Sequence, residues 1–61
     1  MQDMLVHLEK LREQVAGCET IRDVATDPAK RELFTKLAEH YKVLAAEVQR
    51  AINERQARAS E

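Results

Sequence analysis

The chain has 61 residues, ten Lys and Arg against eleven Asp and Glu, two aromatics and one cysteine, enough for a single small domain. A lone Cys18 excludes a disulfide within the chain, no run nears the roughly 18 apolar residues of a membrane span, and the balanced charge lacks the clustered basic residues of a phosphate-binding surface. The first residues, Met1-Gln2-Asp3, open into a charged amphipathic pattern rather than a basic segment followed by an apolar one, so a reducing cytoplasm is the expected compartment.

The first expected element is a helix over residues 3–25. Met4, Leu8, Leu11, Val15 and Cys18 step by 4, 3, 4 and 3, and at about 100° per residue they share one face. Ile21 and Ala25 continue close to that stripe, with Arg22 interrupting it. Gly17 lies inside the pattern and weakens the helix by roughly 1 kcal/mol relative to Ala.

Residues 26–27 are the expected turn, followed by a helix over 28–58 and a frayed tail at 59–61. Asp27-Pro28 is a strong start signal, because Asp accepts the orphan amide bonds of the first turn and Pro is preorganised at the first helical position. Pro28 also disfavours helical geometry at Asp27. The second helix carries Leu33, Leu37, Tyr41, Leu44, Val48 and Ile52 on one stripe, widened by Phe34, Ala38, Ala45 and Ala51. Ion pairs at helical spacing, Glu32 with Lys36, Glu54 with Arg58, Glu9 with Arg12 and Glu47 with Arg50, are expected to line the solvated faces.

So short a link between helices turns the chain back into an antiparallel pair. With the turn centred near residue 26, facing positions add to about 52–53. Cys18 then meets Phe34, Val15 meets Leu37, Leu11 meets Tyr41, Leu8 meets Leu44 and Met4 meets Val48. On this register the second helix outruns the first by about two turns, leaving Ile52 with Met1 or Leu5 at the open end.

Two helices in contact hide only the facing edges of stripes this broad, so a lone hairpin shows a continuous apolar strip. The expected fold is an all-α antiparallel helical hairpin that dimerises into a four-helix bundle about a two-fold axis. Leu8, Leu11, Val15, Cys18, Leu33, Leu37, Tyr41, Leu44, Val48 and Ile52 are the expected association residues. The partner is a second copy, with a tetramer as the larger form. The alternative is a docking module or small regulator whose strip receives a helix of another protein. A third reading, a dimeric nucleic-acid-binding protein, rests on Arg31, Lys42, Gln49 and Asn53 along one flank, which Glu39 and Ala46 interrupt.

Chemical sites are expected to be absent: no catalytic residues, no metal and no cofactor. Cys18 lies mid-helix on the apolar stripe, where a thiol acts as a small hydrophobe; an interchain disulfide on oxidation is the one redox reading left open. His7 and His40 belong to different helices and stand about one and a half turns apart on the expected register. The residues three before them, Met4 and Leu37, are not the Glu of a di-iron bundle motif. Glu9 with Glu13, and Glu19 with Asp23, pair carboxylates on solvated faces, and a bundle this small offers no pocket to tune them.

Cys18, Ile21, Thr26-Asp27-Pro28, Arg31, Leu33, Leu37-Ala38, Tyr41 and Leu44-Ala45 together resemble a group of very short alphaproteobacterial helical proteins with no established activity. Their pattern is a Cys-centred first helix, a Thr-Asp-Pro turn, then Leu-Ala-x-x-Tyr on the second. Glu19 departs from the Arg or Lys that often follows the Cys there. The resemblance covers roughly half the chain; it implies a bacterial cytosolic hairpin and transfers no site residues.

Overall fold

The computed structural model describes the backbone of residues 2–60 and the side chains of residues 3–58. Two helices, α1 (Gln2–Val24) and α2 (Pro28–Ser60), pack against each other as an antiparallel hairpin. The described residues contain no strand. Helix α2 persists through Ser60, past the expected end at residue 58, while Glu61 and the Met1 assigned to the open end lie outside the described residues.

Local chemistry sets both boundaries. At the end of α1, Ala25 N–H donates to the Arg22 carbonyl at 3.4 Å, a tightened last turn that satisfies one orphan carbonyl. Asp27 then caps α2: its Oδ1 accepts from Ala29 N–H at 3.0 Å, and its carbonyl accepts the first helical bond, from Arg31 N–H at 3.0 Å. Pro28, the first helical residue, sits where its missing N–H costs nothing. No described residue has positive φ, so α1 does not close on a left-handed cap. The chain passes from α1 to α2 through Ala25, Thr26 and Asp27, with a bend at Asp27.

The register differs from the expected one. The polar contacts between the helices join Glu19 to Lys42 at 3.2 Å and Arg12 to Gln49 at 3.1 Å, both pairs of positions adding to 61. Side chains lean toward the N-terminus of their own helix, which accounts for a few of the extra units over 52–53 but not for all. An extended link of four Cα steps spans up to about 13 Å. With axes roughly 9 Å apart, it can rise by about six residues at 1.5 Å each. Helix α2 therefore starts beyond the end of α1 and overhangs it there. Arg31 is exposed although it falls in phase with Ala38, Ala45 and Ile52, because α1 does not reach its level.

The consequence for the core is direct. Ile52, expected at the open end, is only 2% exposed, since α1 extends alongside it. The buried apolar residues are Leu8, Leu11 and Cys18 on α1 with Ala38 and Ile52 on α2. Lettering the seven-residue repeat so that a and d face the partner, α1 has a at 8 and 15 and d at 4, 11 and 18. On α2, a falls at 38, 45 and 52 and d at 34, 41 and 48. All these positions are buried or half-buried, which is the seam of an antiparallel coiled coil. Ala38, taken from the sequence as a widening residue, is 1% exposed and lies at the centre of the seam; its small side chain suits a close approach of the helices.

Two results are expected of this register and cap. Ile52→Ala should destabilise the hairpin by about 2–4 kcal/mol, like Leu8→Ala, in urea unfolding followed by circular dichroism; a loss well below that would return Ile52 to the open end. Asp27→Ala should cost about 1 kcal/mol while Asp27→Asn keeps most of the stability; equal losses would show that the carboxyl oxygen does not cap α2.

Candidate interaction surface

The two flanks of the seam differ in chemistry. In antiparallel coiled coils the e positions of one helix meet the e positions of the other, and likewise g with g. On the e flank, Arg12 Nη2 donates to Gln49 Oε1, and Gln49 Nε2 donates onward to Asn53 Oδ1 at 3.1 Å. One heptad away, Lys42 Nζ pairs with Glu19 Oε2. These contacts close the e flank with polar groups across both helices. Glu19, with a side chain 35% exposed, is thereby assigned a bridging role that its departure from the resembled pattern did not reveal.

The g flank is apolar toward the turn. Its g positions are His7, Gln14 and Ile21 on α1, and Leu37, Leu44 and Ala51 on α2. The adjoining c positions near the turn are Val24, 72% exposed, and Leu33, 53% exposed. Leu37 and Leu44 are half-buried and Ile21 is exposed. Gly17 lies in the same c row, and a Cβ built there would meet nothing within 4 Å, so nothing inside the hairpin demands glycine. Leu5 and Val6 at the far end of α1, and Val43 on the outer face of α2, are the other exposed large apolar residues among those described.

The expected association residues thus divide. Leu8, Leu11, Cys18 and Ile52 are buried within the hairpin, and Val15, Tyr41 and Val48 are half-buried seam residues. Only Leu33, Leu37 and Leu44 face the open flank. The periodicity alone merges seam and flank because the stripe is continuous around α2.

Among the described residues there is no enclosed pocket and no group of three His, Cys, Asp or Glu side chains placed to hold a metal ion. Cys18 is a free, buried thiol. His40 packs its ring edge-on to Tyr41, with centroids 6.1 Å apart. Of the four ion pairs expected along single helices, Glu32 with Lys36 closes, at 3.4 Å; Arg12 crosses to α2 instead. Of the four residues of the nucleic-acid reading, Lys42, Gln49 and Asn53 are engaged in the e-flank contacts, and Arg31 is exposed. No helix among the described residues is long and apolar enough to cross a membrane.

The fold and surface define a two-helix antiparallel hairpin whose e flank is bridged by polar contacts and whose g flank is apolar toward the turn. No family model matches the chain, and no curated protein or solved structure shows significant similarity to it.

The Glu19–Lys42 pair is partly exposed, which limits its strength. A double-mutant cycle with Glu19→Ala and Lys42→Ala should give a coupling of about 0.2–1 kcal/mol that shrinks as salt is raised. Zero coupling at low salt would remove this pair from the elements that close the e flank.

Proposed function

We propose that the chain is a non-enzymatic interaction protein that works as a homodimer, two hairpins closing into a four-helix bundle in a reducing cytoplasm. The observation that carries this reading is surplus surface. The accessible area is 4798 Å² for 7.0 kDa, whereas a compact monomer of that mass exposes roughly 4,000 Å². The difference, roughly 750 Å², is close to the 800 Å² or so that one partner contributes to an interface of standard size. The radius of gyration, 14.7 Å, likewise exceeds the roughly 10 Å of a compact chain of this length.

Stability argues the same way. Among the described residues, five buried apolar ones, two of them the small Cys18 and Ala38, are a thin core to set against the entropy of ordering two helices. A second copy is the partner always present in equal amount, and its apolar flank supplies the missing burial at about 25 cal/mol per Å². The alternative occupant is a helix of another protein, for which no separate feature of the surface speaks.

Sedimentation equilibrium under reducing conditions should return twice the chain mass across the micromolar range. A helical monomer throughout would overturn the reading and leave the flank to a different protein. Leu44→Asp, which places a charge among apolar groups, should abolish the dimer; unchanged mass and helicity would remove Leu44 from the association surface.

A further inference from the structure

Resting on the dimer reading, we propose that the second copy seats on the g flank with the two-fold axis running along the hairpin, so that each α1 lies antiparallel on α2 of the other copy. The e flank is already closed by Arg12, Gln49, Glu19 and Lys42. The g flank carries the exposed Ile21, Val24 and Leu33 beside the half-buried Leu37 and Leu44. An axis along the hairpin places α1 of one copy at the same level against the other copy's α2 as against its own. Positions adding to about 61 therefore face each other between copies as they do within one.

The outward residues on that flank are complementary under this operation. Val24 comes level with Leu37 of the second copy, and Ile21 lies within a helical turn of it. Gly17, whose missing Cβ leaves open space, comes level with Leu44. Toward the far end, Lys10 on the c row of α1 falls between Glu47 and Glu54 on the c row of the other α2, and Asp3 comes level with Arg58. Both charged residues of the c row of α1, Asp3 and Lys10, thus meet the opposite sign on α2. A two-fold axis set across the hairpin would instead lay α1 on α1 and lose these pairings.

The test uses the full chain and sedimentation equilibrium, with circular dichroism to confirm helicity. Ile21→Asp combined with Val24→Asp, both at exposed positions of α1 that come level with α2 of the second copy, should weaken dimerisation at least a hundredfold while helicity is kept. Val43→Asp, on the outer face of α2, should leave it within about twofold. Lys10→Glu should weaken the dimer several-fold, and adding Glu47→Lys and Glu54→Lys in the same chain should restore it. A dimer that is indifferent to Ile21→Asp with Val24→Asp overturns the g-flank assignment while the dimer reading stands. Loss with the apolar pair but no rescue by the charge exchange overturns the axis along the hairpin. A monomeric wild type removes both the dimer and this arrangement of it.

Discussion

Two helices laid side by side enclose only one edge of each, and in this chain that edge is the a/d seam in which Leu8, Leu11 and Cys18 meet the level of Ala38 and Ile52. The seam imposes the seven-residue phase on both helices, and the phase sorts every other residue. Positions flanking it on one side bridge the helices through polar groups; on the other side, toward the turn, Ile21 is exposed and Leu37 and Leu44 are half-buried. Because the seam is continuous along α1, it also carries Ile52 into the core at the end farthest from the turn. Among the described residues no buried side-chain nitrogen or oxygen lacks a partner, so the seam carries no polar penalty.

The asymmetry of the flanks is what gives a plain hairpin a direction. Polar e–e contacts between exposed groups contribute modestly to stability, but they occupy the groups that could otherwise bind elsewhere. An apolar g flank has no such internal satisfaction and gains most by being covered. The thin core and the surplus area express one fact in two ways: the hairpin folds its chain into helices before it has hidden all of their apolar surface. In the proposed dimer a two-fold axis turns one open flank into a match for itself.

Much of this was legible in the residues. Asp27-Pro28 marked the start of α2 because capping is a local interaction within four residues of chain, and the short link implied the reversal. The spacing of Met4, Leu8, Leu11, Val15 and Cys18 named the buried edge of α1 directly. On α2 the same reading was ambiguous, because Leu33, Leu37 and Leu44 form as persuasive a row as Phe34, Ala38, Tyr41, Ala45, Val48 and Ile52. Large leucines drew the eye, whereas the fully buried centre is Ala38, 1% exposed. Hydrophobicity ranks size; seam packing ranks position.

The sequence by itself determined the two helices, their boundaries near the capped turn and the apolar edge of each, because caps, proline and periodicity act over a few residues. Tertiary structure decided the register and, through it, which flank closes and which stays open. Those depend on how far the three-residue link climbs before α2 begins. A shift of a few residues along the axis decides whether Ile52 stands in solvent or in the core, whether Arg31 faces a helix or water, and whether Glu19 and Lys42 come within reach across the seam. No local pattern encodes that shift, because it is settled by the packing of side chains far apart in the chain.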